Sequence, residues 1–599
     1  MTTADLRKVL FKLVICLLPC FVAAPLSAQE EASPPGRAAR LSFMQGNVSF
    51  QPSGETQWSA AALNYTVSTG DRLYTDQGAR AELEAGPYTV RLSQATDLTV
   101  VNLNDQLLQL GLGQGSIRLS VYNLPPNNSV EIDTPNGALS ILRAGFYRVE
   151  TDPNNNSTLV TVNSGGLEVS GGGTSQPVNS GQAAQLTGTG PIQVNLVAVP
   201  GPDEFDGWCE SRDRRIESDK SRQYVNPYTP GAEDLDQYGQ WSTAPQYGPV
   251  WYPSGVAAGW VPYRFGRWAW VEPWGWTWVE NEPWGFCPFH YGRWAFIGSR
   301  WGWVPGPVAV APFYSPALVA FVGGGGFSVG LNFGGGFGMA AWFPLGPSEP
   351  FIPWYHYSPT YLRQVNITNV RNVTVINNYI NTTNVNVTNI HYQYKTVAAT
   401  AVSGEVLRTG QPVAAHMVHV TPEQIARTEV IAHPSITPDR TAVFAGRTPV
   451  KAPPVRAAVT APPRGAVQVA HESHPARPLS AGPPAPMPRT ESVEPAHVPA
   501  PATGRAAPAA SLHNGPPAAR PTFVTRTPPP QRDVTFAQHE PALAEHPGRA
   551  LEPQQEQHVR EGQPAGPPRD REILPHQPAP KPAPRAESKP APKAKEEKH

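Results

Sequence analysis

Tyr238-Gly-Gln-Trp241, Phe265-Gly-Arg-Trp268 and Tyr291-Gly-Arg-Trp294 write one short motif three times. Each copy is followed by an aromatic-Gly step: Tyr247-Gly248, Trp274-Gly275 and Trp301-Gly302. Trp260-Val-Pro-Tyr-Arg and Phe286-Cys-Pro-Phe-His precede the second and third copies in matching register. A period of about 27 residues falls where repeats mark arrayed supersecondary units that stack on their neighbours. That length suits a pair of strands per unit, so the segment reads as β. The glycine ahead of each Arg-Trp or Gln-Trp marks a tight turn or a close approach of two backbones.

If Trp274-Gly-Trp-Thr-Trp278 is a strand, Trp274, Trp276 and Trp278 share one face, because side chains alternate. Two uses of the indoles are open. As an exposed row, Trp268, Trp274, Trp276, Trp278, Trp294 and Trp301 would stack on sugar rings of peptidoglycan or another glycan. Arg264, Arg267, Arg293 and Arg300 would then serve its hydroxyl or carboxylate groups. As a core, the same indoles would fill the space between small β units, with Arg on Trp purely structural.

Towards the N-terminus, from Leu41 to about Val199, short alternating segments such as Arg80-Ala-Glu-Leu-Glu, Thr89-Val-Arg-Leu-Ser and Thr158-Leu-Val-Thr-Val-Asn recur. Pro125-Pro-Asn-Asn, Thr134-Pro-Asn-Gly, Pro153-Asn-Asn-Asn and Gly171-Gly-Gly separate them with turn chemistry. The pattern predicts many short strands in a sandwich or solenoid-like domain. The ordered series Gly46-Asn-Val48, Gly70-Asp-Arg-Leu73, Ala79-Arg-Ala-Glu-Leu83, Val130-Glu-Ile-Asp-Thr-Pro-Asn-Gly137, Gly145-Phe-Tyr-Arg-Val149, Val160-Thr-Val-Asn-Ser-Gly165 and Gly181-Gln-Ala183 resembles the FecR domain. That family is the periplasmic β module of iron-citrate-type sensors, and the resemblance implies an antiparallel β domain over 41–200, after a short linker at 29–40. In those sensors the domain follows a cytoplasmic anti-sigma segment and a membrane helix. Neither is expected here, so the fold carries over more directly than the signalling role.

On the other side of the repeats, Pro312-Phe-Tyr-Ser-Pro-Ala-Leu-Val-Ala-Phe-Val leads into a Gly-rich stretch and then Trp342-Phe-Pro-Leu-Gly-Pro. With the repeats, this resembles a Trp-rich bacterial domain family of unknown function that often follows FecR domains, and it implies a Trp-rich β-repeat and Gly-rich domain at 238–365. The resemblance brings no activity with it. Between the two domains, the mixed charges of Glu210-Ser-Arg-Asp-Arg-Arg-Ile-Glu-Ser-Asp-Lys-Ser-Arg predict a solvated, partly helical connector over 201–237. Asn366–Asn389 alternates Asn or Thr with Val and Ile, which predicts strands, and a small module closes the folded part at about 440. From 441 to 599, Pro and Ala dominate and only Phe444, Phe523 and Phe536 are aromatic. Such a segment is expected to be a long disordered Pro/Ala-rich tail.

Residues 1–28 have the order of a secretory signal: Arg7, Lys8 and Lys12, an apolar run from Leu13 to Pro25, and small residues ending at Ala28. The run is short of the ~20 residues a spanning helix needs. Cleavage is expected near Gln29, with no transmembrane segment afterwards and the protein exported to the periplasm or cell envelope. Cys209 and Cys287 would then remain in an oxidising compartment, as one disulfide or as two buried thiols; spacing does not choose between them. A formal net charge of −1 argues against a nucleic-acid surface.

No catalytic signature has supporting context. The sequence has no phosphate loop and no His-Glu-x-x-His motif. His416-Met-Val-His419 lacks the third and fourth donors a zinc site needs. Glu280 and Glu282 share a strand face but not a cleft between them. His290, alone in an aromatic repeat, reads as a structural donor. The expectation is therefore an exported, non-enzymatic envelope scaffold or binding protein, without catalytic residue, metal or cofactor. It would contact peptidoglycan, another glycan or an envelope protein. The alternatives are a FecR-like signalling component acting through a separate membrane partner and, third, a glycan-acting enzyme.

Overall fold

The structure, a computed structural model, describes residues 33–323, 338–370, 390–454, 522–531 and 534–562. The expected signal segment, most of the Asn-rich strands and much of the tail lie outside these residues. Antiparallel sheets dominate, so the fold is mainly β.

The alternation predicted for the N-terminal module builds strands β1 (Ala39–Gln45), β2 (Arg80–Ala85), β3 (Tyr88–Leu92), β4 (Leu107–Val121), β5 (Ser129–Thr134) and β6 (Gly145–Asp152), among others. Long strand β4 belongs to two sheets. Its first half pairs with Asp97–Leu103 and, in parallel, with β5, while its second half pairs with β3 and β6. Gly115 lies where the strand changes partners, at φ +86, and a Cβ there would meet Thr96 within 2.5 Å. A strand that turns between sheets at a close backbone approach needs glycine. Inside the curl, Leu83, Val90, Leu92, Ile117, Leu119 and Tyr147 form an aliphatic-rich core.

The outer face of β2, β3, β4 and β6 carries charge instead. Register places Glu82 beside Arg91, Arg91 beside Arg118 and Arg118 beside Arg148, a row across four strands. Helix α1 (Glu204–Glu217) lies over that row. Arg212 pairs with Glu82, Asp213 accepts from Arg91 at 2.6 Å and from Arg118 at 3.2 Å, and Asp206 accepts from Arg148 at 2.5 Å. The expected solvated connector is thus a docked element. Its mixed charges complement a charged sheet face rather than water, and Asp203 starts it with a capping box to Asp206.

Each copy of the Trp motif is one β-hairpin: β7 (Gly239–Ala244) with β8 (Gly248–Pro253), β9 (Gly266–Val271) with β10 (Gly275–Glu280), and β11 (Arg293–Ile297) with β12 (Arg300–Val304). In the first two hairpins the motif glycine opens the first strand and the aromatic-Gly step ends the turn; in the third, Gly292 stands just ahead of β11 and Trp301-Gly302 lies within β12. The first and third hairpins join through Trp251 opposite Trp303. Helix α2 (Phe286–His290) links the second to the third. Beyond them, β13 (Val319–Gly323), β14 (Met339–Pro344), β15 (Thr400–Ser403) and β16 (Glu429–Ile431) form a sheet in the order β15-β14-β13-β16.

The two modules are joined through buried polar groups. Arg40, on β1 and fully buried, pairs with Asp234, with Glu84 at 3.5 Å and with Glu233 at 3.7 Å, and donates to Pro283 O at 2.8 Å. Asn64 donates to the carbonyls of Glu280 at 3.2 Å and Glu282 at 2.7 Å, and Thr66 and Tyr314 share a hydrogen bond of 2.7 Å.

Part of the expected disordered tail is folded onto this body. Val524 bridges to Thr134 on β5, and helices α3 (Phe536–Glu545) and α4 (Pro553–Arg560) bury Phe536, Leu543 and Val559 in the common core. Composition averaged over the whole tail hid these local apolar positions.

Candidate functional site

Of the chain's sixteen tryptophans only Trp208 and Trp241 are partly exposed; the others are buried. Trp274, Trp276 and Trp278 do not form an open row. Trp268, the hub, packs edge-on to Trp278 at 5.4 Å and Trp342 at 5.4 Å and tilts against Phe321 at 5.2 Å. Trp276 meets Trp270 edge-on at 5.2 Å, Trp294 meets Trp260 at 5.3 Å, and Trp301 packs on Tyr394 at 4.8 Å. Hairpins this small bury enough surface only with bulky side chains, and edge-to-face contacts add to area burial. The structure therefore takes the core use of the indoles and not the exposed one.

The arginines beside them are also engaged internally. Arg293 is buried and donates to Glu349 O at 3.1 Å, Gly292 O at 2.8 Å and Asn366 Oδ1 at 3.2 Å; burial lowers its pKa to about 10. Arg264 holds Thr400 Oγ1 at 3.0 Å and Ala399 O at 3.2 Å, and Arg267 holds Ala445 O at 2.9 Å. Arg300 stands 3.8 Å over the ring of Tyr252.

The residues that resembled catalytic groups are held by their own surroundings. Glu280 accepts from Trp278 Nε1 at 2.9 Å and from Asn281 N at 3.0 Å, and burial pushes its carboxyl up to about 7. His290 bonds Ser315 O through Nδ1 at 2.8 Å between the rings of Phe286 and Tyr314, and burial lowers it to about 4. His416 and His419 are both exposed. Cys209 on α1 and Cys287 on α2 are both buried and unbridged; burial pushes Cys209 up to about 12 and Cys287 well above its usual range. Thiols in that state are inert.

A concave site lies elsewhere. A cavity of about 320 Å³ lies where the N-terminal module, the β9–β10 turn and the C-terminal helices meet. Tyr65, Trp270, Trp274, Glu272, His539 and Glu556 are among its lining residues. The strand alternation of β9 and the turn after it bring Trp270 and Glu272 together, and Trp270 Nε1 donates to Glu272 Oε1 at 2.7 Å. Helices α3 and α4 supply His539 and Glu556, paired at 3.0 Å. Glu55 and Asp71 on the N-terminal side are already committed, Glu55 to Arg440 and Asp71 to the backbone of Ser53 and Ser68.

Of the sequence candidates, only Trp274 lines this cavity. His539 and Glu556 were overlooked because they fall in the compositional tail. A signal was present: Thr535-Phe-Ala-Gln538 and Glu552-Pro-Gln-Gln555 are capping boxes in the structure. The first of them is the Thr-x-x-Gln signature of a helix start, which the Pro/Ala average concealed.

Residues 232–349 match a family of unknown function, DUF6600. The match takes in all three hairpins, Glu272 and the first strands of the following sheet. No curated protein matches the chain. Among solved structures, two crystal structures of a candidate anti-sigma factor from Parabacteroides distasonis ATCC 8503 are similar, at 11% and 12% identity and a TM-score of 0.19 in both. The likeness covers 21% of this chain and 59% of that one. No helix among the described residues is long and apolar enough to cross a membrane.

Proposed function

We propose that this chain is an exported, non-enzymatic scaffold and binding protein of the cell envelope, in which a FecR-like β module and the DUF6600 region act as one body. The observation that supports it best is the interdomain cavity. About 320 Å³ is within the size range of small-ligand sites, and its wall combines apolar and aromatic side chains with convergent polar groups. Glu272 and Glu556 offer acceptors and Arg560 offers donors beside apolar wall, a combination suited to the hydroxyls of a sugar unit of peptidoglycan or another envelope glycan. Export rests on the signal-like order of residues 1–28.

The test is retention of the full-length chain, and of a chain starting at Gln29, on purified peptidoglycan. Retention that a soluble glycan fragment displaces supports the reading; loss of both forms to the unbound fraction removes the glycan ligand.

A second reading, signalling through a separate membrane protein, draws on the tail segment seated on the FecR-like module. Glu131 accepts from the backbone of Arg526 at 2.9 Å and of Thr527 at 3.0 Å, and Gln109 donates to Thr527 O at 2.8 Å. A tethered segment on a sheet surface is one a partner can exchange with. Cross-linking in envelope extracts that recovers no membrane protein counts against it.

A further inference from the structure

Three ligand-type side chains from three separate elements converge at the cavity. Glu272 comes from the β9–β10 turn, His539 from α3 and Glu556 from α4, and one donor atom of each lies within 4.8 Å of the other two. We propose that this cluster is a binding site for a divalent transition-metal ion of the zinc class. The proposal concerns the cavity described above but does not depend on a glycan entering it.

The geometry is close to what such an ion imposes. Donors bound at ~2.0–2.2 Å around one zinc ion stand about 3–4 Å apart. His539 Nε2 and Glu556 Oε2 are already 3.0 Å apart, so the ion would displace a proton-mediated pair rather than force the helices together. Glu272 has to close by less than about 2 Å, the difference between the two spacings, which a carboxylate on a turn can do by rotation. One imidazole and two carboxylates, without thiolate, suit zinc, iron or nickel better than copper(I), and the imidazole disfavours calcium and magnesium.

The surroundings fit as well. Trp270 Nε1 holds Glu272 Oε1 at 2.7 Å, the kind of outer hydrogen bond that orients a ligating carboxylate. His539 is buried in the face of α3 that packs on the body, which restricts its ring. Three protein donors leave at least one position open, and that position borders the cavity, where an oxygen ligand such as a carboxylate or sugar hydroxyl can complete the shell. The ion would tie residues 272, 539 and 556 into one cross-link, closing a loop of more than two hundred residues between the DUF6600 region and the C-terminal helices.

The experiment is equilibrium dialysis of the untagged full-length protein, first stripped with chelator, against zinc alone, with bound metal counted by atomic emission. One ion per chain is expected. Glu272→Gln keeps an acceptor for Trp270 and should weaken binding at least tenfold, as should His539→Ala; the exposed pair His416→Ala with His419→Ala should change nothing. Because His539→Ala can loosen α3, tryptophan fluorescence and Glu556→Gln provide the check on folding. Zinc should also raise the melting temperature of the wild type and not of Glu272→Gln. Substoichiometric binding by a folded wild type, or binding lost only in the His416/His419 variant, overturns the site and leaves His539–Glu556 as a plain ion pair. Peptidoglycan retention measured in chelator is scored separately, so failure of the metal site and failure of the glycan reading are told apart.

Discussion

The N-terminal module packs small aliphatic side chains between many strands and sets a row of charges under a helix, whereas the DUF6600 region packs indoles between three short hairpins. In the first, Ile117, Leu119 and Val90 fill the curl while Glu82, Arg91 and Arg118 are buried on the opposite face beneath α1. In the second, Trp268, Trp278 and Trp342 fill a core that no run of Val and Leu from strands of five or six residues would fill. The difference follows from element size: long paired strands supply area by number, and short hairpins supply it by side-chain volume. Arg40 and Asn64 stand where the two kinds of packing meet.

The largest effect is expected where the two modules meet. Arg40→Met leaves Asp234, Glu84 and Glu233 without their buried cation and should cost about 3–5 kcal/mol, read by urea unfolding. It should also separate the unfolding of the two modules into two transitions. Trp278→Ala should cost a similar 3–5 kcal/mol and Leu119→Ala about 2–5 kcal/mol, the first blunting tryptophan emission changes and the second leaving them intact.

Acid and base should then act on the two regions in opposite directions. Burial pulls Glu82 up, but the hydrogen bond from Arg212 and the charge of Arg91 outweigh it and hold the carboxylate at about 2, below its ordinary 4.5. The native state favours the ionised form, so this stability is present above pH 4.5 and is lost as pH falls towards 2. Glu280 is the reverse. Its carboxyl stands at about 7, so the stability of its neutral form is present below pH 4.5 and is lost as pH rises to 7. Glu280→Gln should flatten that window and gain up to about 3 kcal/mol near neutrality, measured by denaturant midpoints across pH. Glu82→Gln should flatten only the acid limb, while losing its ion pairs.

The smallest effect belongs to the tail helices. Gln538→Ala removes the acceptor for Thr535 N, 2.9 Å away, and should cost about 1 kcal/mol. Hydrogen exchange should quicken in Phe536–Glu545 and stay unchanged in the N-terminal module.

Much of the fold was legible because periodicity is local. The 27-residue repeat predicts hairpins, and hairpins are present at each copy; the N-terminal alternation predicts strands where strands lie. What alternation cannot say is whether a shared face is covered. Trp274 and Trp278 meet that limit, since their neighbours Tyr314, Phe289 and Trp342 come from later segments. The charges of α1 looked solvated for the same reason: the Glu82–Arg91–Arg118 row that receives them lies nearly a hundred residues or more away in the chain. His539 and Glu556 were hidden differently, by averaging a short capped helix pair into a long Pro/Ala background.

Acrylamide quenching of tryptophan fluorescence in the native full-length chain distinguishes a tryptophan core from a tryptophan binding face. A core gives blue-shifted emission and weak quenching dominated by Trp208 and Trp241, rising sharply only on unfolding, with no further protection of the repeat by peptidoglycan fragments. Strong native quenching that such fragments suppress would contradict it.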